Sequence, residues 1–361
     1  MSNFSNRIKI LLLGGVCCLL GALNGEAAVS ASGLLQSNVA SEGANTAFNY
    51  SPTLVQTTEG LLVAWIGSSR AGSPDASVYL TRNLGGVWSQ PEKVASTTHP
   101  ETQVQSACER PVLFKPANDP LMLFYQSKDA RNRPRAFYSI SSDKGRAWIR
   151  PKLLPKSYSG PARVKPIELS DGTLLCGGDS HAAGWTVHVE RGSAFRDTFG
   201  WSRTRDLTYA RMHNASEPVL LNHGGGHIQA LCRTNRGYLL EGWSDDNGES
   251  WDRFERTALP NPDSGLDVVK WGPQDFVMVY QHSNRERGIL NLARTKDGKS
   301  WSAAAVLENR PGTTFSDPAM VKGADGNLHL VYCEDKKWIK YVVVDPSQLA
   351  SVPMVGGNWP Y

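Results

Sequence analysis

Beyond residue 30 the sequence has no apolar run approaching the roughly 18 residues that a membrane-spanning helix needs, so no membrane span is expected there. Neither charge is in surplus: 38 Lys and Arg stand against 34 Asp and Glu, a formal net charge of +4. That balance gives no electrostatic reason to expect a nucleic-acid partner. Cysteine is scarce, with six in 361 residues. Cys108, Cys176, Cys232 and Cys333 lack metal-ligand spacing, and the last three sit in apolar, strand-like runs, so buried free thiols are expected rather than disulfides. No His, Cys or carboxylate cluster has ligand spacing either, so neither metal nor cofactor is expected. Long amphipathic helical patterns are also missing, which turns the reading toward strands.

What is present is a globular composition, 40% hydrophobic and 20% charged. It is preceded by "MSNFSNRIKILLLGGVCCLLGALNGEAAVSASG". Arg7 and Lys9 stand before an apolar run that ends in small residues, the plan of a signal peptide over residues 1–30, and the mature chain is expected to be exported to the periplasm or the medium. A lipoprotein site at Cys17 or Cys18 fits poorly, because both lie inside the apolar run without a small-residue pair before them.

The main signal is repetition. "TRNLGGVW" (81–88), "SSDKGRAW" (141–148), "SDDNGESW" (244–251) and "TKDGKSW" (295–301) share one turn plan, and Trp201 falls where another copy is due. A second marker, a residue before Pro or Gly and then an apolar run, keeps phase with it at Ser51, Arg110, Lys165, Glu217, Ser264 and Asp317. Each phase, roughly 50 to 60 residues, holds short β-type runs separated by turn residues, four strands to a unit. The expectation is an all-β, six-bladed β-propeller of four-stranded antiparallel blades over residues 31–349, with an unexplained tail over 350–361. The last unit lacks a fourth strand and "LLQSNVA" (34–40) has no unit of its own, so the N-terminal segment is expected to close the ring. In the turns, the aspartate is expected to accept backbone N–H bonds, the glycine to take positive φ and the tryptophan to pack between blades, which is structural work.

These turns resemble the Asp boxes of the sialidase superfamily, more narrowly the bacterial sialidase-like BNR-repeat proteins, and the resemblance covers nearly the whole mature chain. It implies a site where the inner strands begin. "AWIGSSRAGSPDASVYL" is similar to the family's first-blade segment, which implies Arg70 as a substrate-side arginine and Asp75 as acid/base. "ASEPVLLNHGGGHIQALCRTNRGYLLEGW" implies Glu217 as the partner of the nucleophile and Arg233 as a carboxylate-clamp arginine, and "YQHSNRERGILNLARTKDGKSW" implies Arg287 as another. Two positions depart from the family: Tyr50 stands where its first clamp arginine belongs and Phe315 where its tyrosine nucleophile belongs. A phenyl ring cannot attack an anomeric carbon. Ala71 and His181 stand where the bacterial group tends to carry acidic residues.

If the inner-strand starts line one funnel, Arg110, Lys165, Glu217, Asp263 or Asp267, and Asp317 meet there, with Arg70, Asp75, Arg233 and Arg287 nearby. Arginine forks bind carboxylates bidentately, so Arg110, Arg233 and Arg287 suit an acidic sugar, with Arg70, Lys165 and His181 as further binding residues. Asp75 with Glu217 or Asp317 can divide acid and base roles if their environments separate their pKa values. Three routes stay open without a tyrosine: inverting hydrolysis, a carboxylate nucleophile, or elimination from a uronic acid with a base such as His181. The plain alternatives are a ring of ion pairs filling the central channel, a solvated turn aspartate at Asp75 and a surface histidine at His181. The functional expectation is an exported, monomeric exo-glycosidase acting on a terminal acidic sugar. A non-catalytic glycan-binding propeller and a polysaccharide lyase are the alternatives.

Overall fold

A computed structural model describes residues 33–98, 105–118, 120–129, 133–161, 163–181, 184–192 and 200–360. The signal-peptide and lipoprotein readings over residues 1–30 lie outside the described residues.

Six antiparallel sheets follow one another along the chain as the blades of a propeller. The inner strands are Phe48–Gln56, Glu109–Phe114, Ile167–Glu168, Ala215–Gly224, Asp267–Gly272 and Phe315–Lys322, one per blade in that order. Blade 6 takes its outermost strand from the other end of the chain: Leu34–Val39 pairs antiparallel with Trp338–Val344, Leu34 opposite Val344 and Val39 opposite Lys340. The ring is thus closed by hydrogen bonds between the two ends of the repeat, which leaves Trp338–Val344 no open edge. Two blades exceed the four-stranded plan. In blade 1 both Val87–Trp88 and Glu92–Ala95 pair with Ser77–Leu84, and in blade 5 the segment Val352–Pro353 adds itself to Trp301–Asn309. The tail that the repeat leaves unexplained is therefore docked, with Met354 and Trp359 buried in the cluster between blades 4 and 5.

The apolar cores lie between sheets. Leu62, Ile66 and Val78 of blade 1 pack on Leu113, Leu121 and Leu123 of blade 2, and comparable clusters join the other neighbours. The repeated turns lie between the third and fourth strands. In blade 2, Asp143 accepts from the amide of Ala147 at 2.8 Å and the hydroxyl of Ser141 at 2.7 Å, while Gly145 has φ +86°. A Cβ on Gly145 would lie 2.3 Å from Leu62 of blade 1, so the position demands glycine for space as well as for φ. The tryptophan of each turn packs into the cluster shared with the preceding blade: Trp148 with blade 1, Trp251 with blade 3 and Trp301 with blade 4. Trp201 does the same between blades 2 and 3. Among the described residues, Cys108, Cys176, Cys232 and Cys333 are buried and free.

One irregularity recurs at the inner edge. In blades 1, 2, 4 and 6 the ladder skips two residues, Ser51-Pro52, Arg110-Pro111, Glu217-Pro218 and Asp317-Pro318. Proline has no N–H to give the ladder, so the strand bulges at each one. The residue before it takes a left-handed conformation: φ is +53° at Ser51, +54° at Arg110, +54° at Glu217 and +52° at Asp317. Side chains of the preceding blade accept amides at or just beyond these bulges. Thr53 Oγ1 accepts from Leu113 N at 3.1 Å, Asp179 Oδ2 from Glu217 N at 3.1 Å, and Asp267 Oδ2 from Met320 N at 2.7 Å.

Candidate functional site

The bulges aim their side chains at the propeller axis, where charges from five blades meet. Arg110 of blade 2 makes a fork on Asp179 of blade 3, Nη1 to Oδ1 at 2.6 Å and Nη2 to Oδ2 at 2.9 Å, and its Nη2 also lies 3.3 Å from Glu217 Oε1. Glu217 of blade 4 receives two more arginines: Arg163 Nε at 2.7 Å from Oε2, and Arg233 with Nη2 at 3.2 Å from Oε1 and Nε at 3.1 Å from Oε2. Arg233 also pairs with Asp263, and Nη2 of Arg287 donates to the Asp263 carbonyl at 2.5 Å. Asp317 of blade 6 stands 3.8 Å from Arg163 Nε.

Arg163 occupies the centre. It is buried, has φ +71°, and its guanidinium donates to the carbonyls of Leu266 at 3.3 Å and Pro318 at 3.4 Å as well as to Glu217. A Cβ on Gly265 would fall 2.3 Å from Arg163 Nη2, which explains why blade 5 has Gly where the other five blades have Pro. Lys165 reaches across to the carboxylate of Asp267, so its ammonium is engaged in an ion pair.

Burial alone would raise the Glu217 carboxyl, but Arg163, Arg233 and Arg110 outweigh it and hold it down to about 2. Asp179 is likewise held well below the usual range: burial opposes ionisation, and Arg110 and His181 overcome it. Both are therefore ionised at ordinary pH, bonded and out of solvent. Asp317 and Asp263 differ, with 26% and 28% of their side chains exposed.

Asp75 lies in the loop between the second and third strands of blade 1. Its bonds are local, to Ser69 N at 3.2 and 3.3 Å, and hydrogen bonds from Ser73 and Ser69 keep its carboxyl below the ordinary value. The Tyr50 phenol is pushed up to about 12, first by burial and then by Glu109, Cys108, Asp317 and Asp75. Arg70 is exposed on the Asp75 loop and has no ion pair among the described residues. His181 is 43% exposed, its Nε2 3.6 Å from Asp179 Oδ1, and its ring stacks on Trp185 at 5.1 Å; Arg233 lies over the same indole at 4.8 Å. Phe315 is fully buried against Tyr332, ring centroids 5.8 Å apart.

The structure therefore brings together Arg110, Glu217, Arg233, Arg287 and Asp317, engages Lys165 with Asp267, sets His181 at the edge of the cluster, and holds Asp75 and Arg70 on a separate loop. Sequence reasoning missed Arg163, Asp179 and Trp185. A carboxylate at the end of the apolar run "LLCGGD" was the available signal for Asp179, since such a residue is buried only when paired. Among the described residues no group of three or more His, Cys, Asp or Glu could hold a metal ion, and no helix is long and apolar enough to cross a membrane.

Residues 59–330 match the family described as the BNR repeat-like domain. No curated protein matches the sequence. Among solved structures, a protein of unknown function from Dyadobacter fermentans is similar with a TM-score of 0.70 at 14% identity, over 87% of this chain and 98% of that one. The NanB sialidase of Streptococcus pneumoniae is similar with a TM-score of 0.67 at 10% identity, over 88% of this chain and 71% of that one. The sialidase of Trypanosoma rangeli follows the same fold with a TM-score of 0.59 at 12% identity, over 82% of this chain and 55% of that one. At these identities the likeness is one of fold.

Proposed function

The chain belongs to the BNR repeat-like family, and we propose that its funnel takes the terminal acidic sugar of a glycan as a sialidase-like exo-glycosidase that works with two carboxylates, Asp75 and Asp317. The observation that carries this reading is the exposure of Asp317 in a ring where Glu217 and Asp179 are bonded away from solvent. In this reading Glu217 fixes the arginines in place and does not move protons. Hydrolysis then needs one carboxylate to take a proton from water as its oxygen bonds to the anomeric carbon, and the other to protonate the departing glycosidic oxygen. Asp75 is ionised in the free protein, which suits the base; as the acid it would need a bound sugar to exclude water and raise its pKa. Arg233, paired with Asp263, and Arg287, bonded to the Asp263 carbonyl, are the cations this reading assigns to an acidic substituent. Action outside the cytoplasm, as a monomer, belongs to the same proposal; the cationic, apolar leader supports the export.

A specific observation favours a second reading, a glycan-binding propeller without turnover. Phe315, at the position of the family's nucleophile, is buried and without a reactive group, and the central arginines are already neutralised by Glu217, Asp179 and Asp263. The deciding experiment assays purified protein on aryl glycosides of sialic and other ulosonic acids, uronic acids and rhamnose, beside Asp75→Asn and Asp317→Asn. Turnover that both substitutions abolish meets the hydrolase reading. Binding without turnover on every glycoside removes it in favour of the binder, and an unsaturated product from uronate glycans that disappears in His181→Ala replaces it with a lyase.

A further inference from the structure

A concavity opens beside the charge cluster on the propeller axis. It lies between blades 2 and 3, measures about 550 Å³ and reaches inward to the Arg110–Asp179 fork and His181. That volume is within the range of about 300–1,000 Å³ that ligand sites occupy. Its lining differs from the funnel in one respect. The funnel's arginines are matched by carboxylates, whereas Lys128, Arg135 and Lys156 line the cleft with no ion pair among the described residues, and Glu109 is the one carboxylate there not already paired with an arginine. Arg203, at the rim, is tied to Asp206 at 2.7 Å.

The floor is built. Glu190 is fully buried and accepts from Ser159 N at 2.7 Å, Ser159 Oγ at 3.0 Å and Gly160 N at 2.9 Å, with His188 Nε2 at 2.8 Å. Gln126 donates to the Ser159 carbonyl at 2.9 Å. The crossing segment between the blades is thus fixed from below, and Tyr158, its hydroxyl bonded to the Trp201 carbonyl at 2.5 Å, has a fixed ring on the cleft wall. His188, 1% exposed and part of the same lining, has a buried Nδ1 without a hydrogen-bond partner.

We propose that this cleft holds the continuation of the glycan whose end enters the funnel, and that this continuation is itself anionic, with a carboxylate or sulfate on units beyond the terminal sugar. The inference rests on the funnel reading for the end that enters, but it concerns a different surface. Free cations on long side chains around a polar cleft read charge along a chain, while the tyrosine ring supplies a face on which a sugar can lie. The protein's preferred ligand is then an acidic polysaccharide, not a neutral glycan capped by one acidic sugar.

The test compares wild type with Lys128→Ala/Arg135→Ala/Lys156→Ala, none of them in the funnel machinery. Three probes of matched length are titrated calorimetrically at low and moderate salt: polygalacturonate fragments, heparin fragments and cello-oligosaccharides. The expected result is anionic fragments binding wild type about tenfold or more tightly than the neutral ones, weakening with salt, and losing that advantage in the triple variant. Whichever anionic probe wins identifies carboxylate or sulfate. Equal binding of charged and neutral chains by wild type, or unchanged binding in the variant, overturns the proposal. Anionic chains that bind through the cleft while no aryl glycoside is turned over leave this inference standing and remove only the hydrolase. An aryl glycoside turned over equally by both proteins, without cleft-dependent binding, does the reverse.

Discussion

Arg163 Nε lies 2.7 Å from Glu217 Oε2, and both residues reach that contact from left-handed backbone, at φ +71° and +54°. Two blades have each taken up a strained conformation so that a buried cation and a buried anion meet on the axis. A single left-handed L-residue costs roughly 1–2 kcal/mol, so the pair is held by its surroundings and not by local preference. The same contact links the stability of the ring to the arrangement of the funnel.

The first prediction follows from that linkage. Glu217 is depressed from 4.5 to about 2 in the folded state, so its contribution is complete above the unfolded value and is lost as pH falls from about 4.5 through 2. On that shift the contribution is about 3 kcal/mol. Urea unfolding at stepped pH should show wild type losing stability across that window. Glu217→Gln should start lower at neutral pH by about 3 kcal/mol and show a shallower acid slope, with the remainder coming from Asp179 and other depressed carboxylates such as Asp246, Asp297 and Asp325. Parallel slopes in the two proteins would refute the assignment.

Gly265 is the second test, because it isolates the position of Arg163 without touching a charge. Gly265→Ala puts a methyl group 2.3 Å from the Arg163 guanidinium, which is buried and bonded on three sides. A loss of about 2–3 kcal/mol is expected in chemical denaturation, together with weakened sugar binding in the funnel. Gly272→Ala, whose nearest neighbour is the Asp275 side chain at 3.3 Å, serves as the control at the far end of the strand that Gly265 precedes.

How much of this was legible in the sequence depends on what each residue obeys. The propeller was legible because its period is written repeatedly, in turns whose Asp, Gly and Trp each answer a local demand. Closure by residues 34–39 could be read from a missing strand at one end and a spare one at the other. Arg110, Glu217 and Asp317 could be found because proline marks the bulge that turns each inward. Arg163 could not be found that way: it precedes its blade's Lys165-Pro166 marker by two residues and enters from a connecting segment. Asp179 sits on a second strand, outside any rule about inner strands. The roles within the cluster were hidden for a further reason, since spacing says which charges converge but not which neutralise one another.

Ser51 supplies the third prediction. It is the bulge residue of blade 1, buried, uncharged and at φ +53°. Ser51→Gly removes a left-handed penalty of roughly 1–2 kcal/mol and adds about 0.5–1 kcal/mol of backbone entropy to the unfolded chain. A net gain of about 0.5 kcal/mol is expected in the urea midpoint, the opposite sign from a glycine placed in an ordinary strand. A loss would mean that the blade 1 bulge is not strained in the way its φ implies.

The last prediction concerns the tail and a histidine it covers. Trp359 is 4% exposed and packs on His282, ring centroids 5.3 Å apart, while His282 Nδ1 lies 2.5 Å from the hydroxyl of Tyr280. Burial holds His282 at about 4, far below an ordinary imidazole, so the folded state keeps it neutral. A histidine depressed in this way contributes full stability above about 6.5, and the contribution falls away toward pH 4 as the unfolded chain takes up the proton. Most of that window lies above the one set by Glu217, so a single pH series reads the His282 effect between pH 6.5 and 4.5. Trp359→Ala should cost about 3 kcal/mol through the cavity it leaves, and should also let the His282 pKa climb toward 6.5 as water reaches the ring. An NMR titration of the His282 ring protons reads the second effect directly. If destabilisation came without any rise in that pKa, the tail would be packing on blade 5 without shielding the imidazole, and the acid sensitivity between pH 6.5 and 4 would need another source.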